Sequence, residues 1–217
     1  MKLISVNAGL PRDVIWKGST VTTAIFKEPI TGRVALRALN LDGDRQADLK
    51  VHGGKDKAVY AYPVEHYDYW SRQLPGVELP WGSFGENLTV EGMLEQETNI
   101  GDRFRIGSAE LVVTQPRLPC YKLAVKFARD DMIKRFLESG RTGFYFAVTR
   151  EGELGAGDPI EVIERRDDGI TPADIVRLYL NGDDDNESVR KAAELKALPE
   201  NWRRHFRRQL ERKFPKG

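Results

Sequence analysis

Val112-Val113-Thr114-Gln115-Pro116-Arg117-Leu118-Pro119-Cys120-Tyr121-Lys122-Leu123 holds the only cysteine of the chain, set between two cations. The apolar run Leu111 to Val113 reads as a strand, and Pro116 and Pro119 then withdraw amide donors and force an extended turn. Cys120 is therefore expected on a strand-end loop. Beyond it Leu123, Phe127, Phe136 and Leu137 recur at helical spacing up to Gly140, which predicts one helix and puts the thiol at or just before its N-terminus. A helix N-terminus presents unpaired amides, and Arg117 and Lys122 add full charges, so the pattern favours thiolate over thiol. An alkylation-rate profile against pH showing an ordinary thiol would refute that reading. Cys120 also reads as a small buried hydrophobe, the commoner use of a lone cysteine.

Upstream of this stretch the chain reads as β structure. Leu3 to Val6, Thr20 to Phe26 and Gly32 to Leu39 alternate as strands. Asn40 to Tyr60 is a long polar passage without hydrophobic period, and such loops in compact domains are either functional or disordered. Within it Gly53-Gly54 exposes backbone amides between His52, Lys55 and Lys57, a cradle suited to phosphate or another oxyanion, although a plain turn explains two glycines equally well. Ala58 to Tyr62 reads as a buried strand and Pro63 opens a helix through Tyr67, Trp70 and Leu74. His66 on that helix reads as a polar surface position. In the glycine-interrupted turn Trp81 to Val90, Glu86 and Asn87 could orient a hydrogen-bonding ligand, although turn-forming glycines explain the pattern equally well.

Downstream, Ile100-Gly101-Asp102 and Ala156-Gly157-Asp158 each precede a half-exposed strand, and Ile106 to Ala109 forms a tight hairpin into the cysteine strand. Arg141 to Val148 returns to strand. Many short strands with two inserted helices predict a mainly β fold, a closed or nearly closed β-barrel over residues 1–166. From 170 to 217 the period changes to that of a small three-helix module docked on it. Thr171 caps the first helix with Asp174 in the capping-box position, and Trp202, Phe206 and Leu210 make the apolar stripe of the last.

With 217 residues, 40% apolar and 31% charged, and a formal net charge of +1, the composition is that of a globular chain with no global pull toward nucleic acid or an anionic membrane. The basic last helix, with Arg203, Arg204, Arg207 and Arg208, reads as a solvated or docking face, since acidic Asp183-Asp184-Asp185 lies in the same module and no nucleic-acid motif is present. No run is long enough to span a bilayer and no leader-like h-region opens the chain. A lone thiol without an internal disulfide partner suits a reducing compartment, so a cytoplasmic protein is expected.

Taken together, Asp48-Leu49-Lys50-Val51-His52-Gly53-Gly54-Lys55-Asp56-Lys57-Ala58-Val59-Tyr60, Phe84-Gly85-Glu86-Asn87-Leu88-Thr89 and Gln115 to Leu123 closely resemble the MOSC family, named for the C-terminal domain of molybdenum cofactor sulfurases. The likeness is to its YiiM-like branch of N-hydroxylaminopurine-resistance proteins, in which a β-barrel precedes a three-helix domain, and it spans nearly the whole chain. The resemblance implies binding of the molybdenum cofactor, with Cys120 as the protein ligand to the metal and Arg117 and Lys122 offsetting the anionic charge. It also implies reductive dehydroxylation of N-hydroxylated compounds such as hydroxylaminopurines, hydroxylamines or amidoximes. His52 and Asp56 are then candidate proton donors, Asn87 and Tyr145 hydrogen-bonding groups, and Gly53 and Gly54 with Lys17, Arg45, Lys55 and Lys57 candidates to hold the cofactor and its phosphate. Nothing in the chain resembles a flavin, haem or iron–sulfur motif, so an external electron-donor reductase is implied, and pyridoxal phosphate is not expected. Two other readings stay open, a sulfur transferase working through a Cys120 persulfide and a carrier of the cofactor. A zinc centre of Cys120, His52 and His66 lacks compact ligand spacing.

Overall fold

The computed structural model describes residues 1–47, 53–167, 169–181 and 186–213. The strands are β1 (Lys2–Ala8), β2 (Arg12–Trp16), β3 (Ser19–Thr23), β4 (Glu28–Pro29), β5 (Arg33–Leu36), β6 (Val59–Pro63), β7 (Leu88–Glu91), β8 (Arg103–Ile106), β9 (Ala109–Pro116), β10 (Phe144–Arg150), β11 (Gly152–Gly155) and β12 (Ile160–Glu164). The helices are α1 (Glu65–Gln73), α2 (Tyr121–Phe127), α3 (Met132–Glu138), α4 (Pro172–Asn181), α5 (Asn186–Glu194) and α6 (Glu200–Lys213). No helix among the described residues is long and apolar enough to cross a membrane.

Eight strands form one sheet in the order β12-β8-β9-β10-β6-β7-β1-β4, antiparallel except for the parallel pair β6–β7. The expected barrel closure is not found. Ladders end at β12 and at β4, and the approach of β1 to the chain before β12 is an isolated bridge, Lys2 to Pro159, with single bonds such as Leu3 N–H to Asp158 O at 2.9 Å. The reason is local: Gly157 turns with φ +95° and Pro159 has no amide to donate, so a continuous ladder cannot start there. Two small sheets, β2–β3 and β5–β11, complete the β structure.

Three further expectations need correction. β2 is a full hairpin partner of β3, in a stretch where the sequence reading places no strand. The helix expected from Leu123 to Gly140 is two short ones, α2 and α3, because Ala128 takes a left-handed conformation (φ +51°) that ends the first. Among the described residues three α-helices, not two, are thereby inserted among the strands.

Period-two alternation decides what each face of the sheet carries. On β6, Val59 and Ala61 join the larger core with Leu111, Phe144 and Phe146, whereas Tyr60 and Tyr62 enter a second cluster with Trp70, Phe84 and Phe136. Burying each such Phe contributes about 1.5–3 kcal/mol, so both faces of β6 are strongly held. The helical module shares the larger core through Ile175, Leu178, Val189, Trp202 and Phe206. Thr171 Oγ1 accepts the Asp174 amide at 3.1 Å while Asp174 accepts the Thr171 amide at 3.1 Å, the reciprocal cap expected for α4.

Candidate functional site

β9 runs out at Pro116, and the residues after it carry the chain to Cys120, which occupies the N-cap of α2 in extended conformation (φ −116°, ψ 172°). Its carbonyl accepts the Leu123 amide at 2.9 Å, and the thiol is half-buried. Strand-end proline geometry followed by a helix start thus sets the sulfur where two cavities meet. One, of about 100 Å³, includes Lys27, Asp44, Arg45 and Lys122; the other, of about 360 Å³, includes Gln115, Tyr179, Trp202 and His205. Lys57, Leu118, Cys120 and Tyr145 line both.

Arg117 is buried at 6% exposure, its guanidinium 5.0 Å from the Tyr60 ring centre and 5.2 Å from that of Phe136. Burial opposes its charge, but Tyr60, Tyr145 and Cys120 together outweigh that and hold its pKa above the ordinary value. Nη1 of this guanidinium is buried without a hydrogen-bond partner among the described residues. Tyr145, 5.4 Å ring to ring from Tyr60, has its phenol pushed up by burial, only partly opposed by Arg117. It therefore stays a neutral O–H donor. Lys57 has its ammonium pushed down, mostly by burial, with Asp56 and Cys120 opposing. Such a lysine gives up a proton more readily than an exposed one.

The 3₁₀ turn Lys55–Lys57 that carries Lys57 is pinned from below: Asp56 O accepts Thr114 Oγ1 at 2.7 Å and Gln115 Nε2 at 3.0 Å. Gln115 Oε1 accepts Trp202 Nε1–H at 2.8 Å, so α6 braces the same turn through one side chain. Gly54, at φ +105°, opens the turn in a conformation that L side chains rarely adopt.

The structure separates the remaining expected site residues. Arg45 and Lys122 line the smaller cavity with Cys120 and Arg117. Asn87 also lines it, but its amide is committed: Oδ1 accepts the Tyr60 amide at 3.1 Å and Nδ2 donates to Asp44 Oδ2 at 2.9 Å. Lys55 and Gly54 are exposed, and neither these two, Gly53 nor Asp56 is among the residues lining the two cavities. Lys17 sits at the β2–β3 turn, paired with Asp130 at 2.7 Å, away from the thiol's cavities. His52 lies outside the described residues. His66 is buried rather than exposed, held to Glu95 at 2.7 Å, and lines neither cavity.

Sequence reasoning missed Lys27 and Asp44, a buried pair in contact beside the smaller cavity, with Asp44 Oδ1 also accepting the Gly9 amide at 2.9 Å. It also missed Tyr179 and His205, and read Trp202 only as core. No local signal marks them, because each comes to the site from a distant element.

One solution property follows from the aromatic side of the site. Tyr60, Tyr62, Tyr67 and Tyr145 all have their phenols pushed up, chiefly by burial. Absorbance titration of the folded protein is expected to leave these four of its seven tyrosines protonated past the ordinary phenol range near about pH 10, and to release them only on unfolding. Ionisation of all seven in the folded state at that pH would contradict the packing.

Comparison with known proteins agrees over nearly the whole chain. The MOSC domain matches residues 48–161 and the YiiM-like 3-alpha helix domain matches residues 170–213. Protein YflK of Bacillus subtilis, uncharacterized, is 39% identical over 98% of this chain and 96% of its own, and protein YiiM of Escherichia coli is 35% identical over 86% and 84%. A protein of Gibberella moniliformis named reductase is 34% identical over 68% of this chain, which spans 27% of that protein. Among solved structures, YiiM of Geobacillus stearothermophilus superposes with a TM-score of 0.81 at 33% identity, over 96% of this chain and 98% of that one.

Proposed function

Since the chain belongs to the MOSC-domain family, in its YiiM-like form, we propose that it is a molybdenum-cofactor-dependent reductase that removes oxygen from N-hydroxylated compounds. The observation that carries this reading is the junction itself: one sulfur facing two cavities, with buried Arg117 and half-buried Lys57 against it. The relative named reductase supports the reaction class.

The residues present fit the cofactor. A thiolate is the soft anionic donor that such a metal accepts. Arg117 offers an unsatisfied buried N–H, and Arg45, Lys57 and Lys122 line the same space, so an anionic group there meets several cations. The smaller cavity brings these cations to the same side of Cys120, where the anionic parts of the cofactor would be held. When bound, the cofactor supplies the two-electron reduction that breaks the N–O bond.

The chain's own groups do the rest. Cys120 would hold the metal end at the boundary of the cavities. Arg117 keeps its charge and offsets that of the sulfur and the cofactor. Tyr145 donates a hydrogen bond to the substrate oxygen, and the ammonium of Lys57 supplies one of the two protons that convert R–NH–OH and two electrons into R–NH2 and water. Asn87 and Asp44 position the loop that bears Arg45.

The test is metal analysis of protein purified from a host that makes the cofactor, followed by reduction of an N-hydroxylated substrate with an artificial electron donor. About one molybdenum per chain and turnover of the substrate are expected. Sulfur transfer to an acceptor without molybdenum would point instead to a persulfide at Cys120, and bound molybdenum without turnover to a carrier.

A further inference from the structure

The larger cavity at Cys120 does not end at the aromatic side chains. It shares Tyr179, Asn201 and His205 as walls with a third, of about 440 Å³, lined by Arg204, Arg208 and Arg212. Spacings of four place these three arginines on one face of α6. No ion pair to any of them is present among the described residues, whereas Arg203 and Arg207 of the same helix are both engaged by Glu200, the former at 2.9 Å. One helix thus carries paired arginines and, along the cavity, a cationic row with no acidic partner among the described residues. Between that row and the sulfur stand Tyr179, 42% exposed, Trp202, whose ring centre is 5.5 Å from it, and His205 at 5.2 Å. Aromatic surface attracts a planar ring and a row of guanidinium groups attracts an oxyanion. Their adjacency across shared walls fits a single small molecule carrying both.

Resting on the reading of the site given above, we propose that the C-terminal module selects substrates in which a planar heteroaromatic ring bears a phosphate tail, the chemistry of a nucleoside monophosphate. The ring lies against Tyr179 and Trp202 with its reactive nitrogen toward Cys120, and the phosphate lies on Arg204, Arg208 and Arg212. The neighbouring His205 has its imidazole pushed toward the neutral form, by burial first and by Arg212 second, so it adds a hydrogen-bonding surface rather than a fourth charge.

The test is calorimetric titration of the full chain at low ionic strength with adenosine and with adenosine monophosphate, neither of which can be reduced. The monophosphate is expected to bind about tenfold more tightly or better, the worth of one charge-assisted hydrogen bond. Arg204→Gln/Arg208→Gln should bring it down to the affinity of adenosine, while Arg203→Gln/Arg207→Gln, which removes the same charge from the same helix, should keep the preference. Equal affinity for the two ligands, no binding of the monophosphate, or equal loss in both double variants overturns the proposal. Because binding requires neither cofactor nor turnover, a protein that prefers the monophosphate yet reduces no N-hydroxylated compound would sink the reductase reading and leave this one standing.

Discussion

Cys120→Ser is expected to lower reduction of N-hydroxylated compounds by about 100-fold or more, given that even groups that only support a metal ligand cost about 10- to 100-fold when removed. The substitution is a clean one. Cys120 holds the N-cap of α2 without using its side chain to cap it, and serine is among the preferred residues there, so the helix start is kept or improved. The thermal midpoint should therefore move by no more than about 4 °C in either direction, the range of a change under about 1 kcal/mol in a chain of this size. A variant that keeps activity within a few-fold of wild type would remove the sulfur from the mechanism.

Lys27→Met is the second large effect, and it acts on stability. The ammonium is 8% exposed and its partner Asp44 2%, so deleting the cation leaves a buried carboxylate that, among the described residues, has the Gly9 amide and Asn87 Nδ2 to satisfy it. Breaking a buried pair in this way costs about 3–5 kcal/mol, against near neutrality when both charges are replaced together. Urea denaturation should show Lys27→Met well below wild type and Lys27→Met/Asp44→Asn recovering much of the difference. Burial pushes the lysine's pKa down, with Asp44 and Glu86 opposing, as a pair held out of water requires. A loss below about 1 kcal/mol for the single variant would mean that the pair is solvated.

The same pair shows where the sequence stopped being legible. Lys27 stands between Phe26 and Glu28 and reads as an exposed position, because only the fold brings Asp44, seventeen residues on, against it. The family resemblance likewise made Lys17 a candidate for the cofactor phosphate, though a hairpin turns it toward Asp130. Ala128 broke an expected helix with a left-handed residue that is usually glycine or asparagine, so no breaker signal was there to read. By contrast the placement of Cys120 at a helix start was legible, since proline geometry and apolar period act within a dozen residues. The Thr171–Asp174 cap and the Ile106–Ala109 hairpin were legible for the same reason. Closure of the sheet depended on whether Gly157 to Pro159 could bond β1, a long-range matter that strand counting does not address. The aromatic and cationic walls given by α6 were seen in sequence only as a stripe of core and a solvated face.

X-ray absorption at the molybdenum edge, on protein purified from a host that makes the cofactor, asks directly whether the sulfur at the junction holds the metal. Wild type should show one sulfur neighbour more than Cys120→Ser at equal metal content. Identical sulfur coordination in the two proteins would contradict the assignment of Cys120 as the ligand.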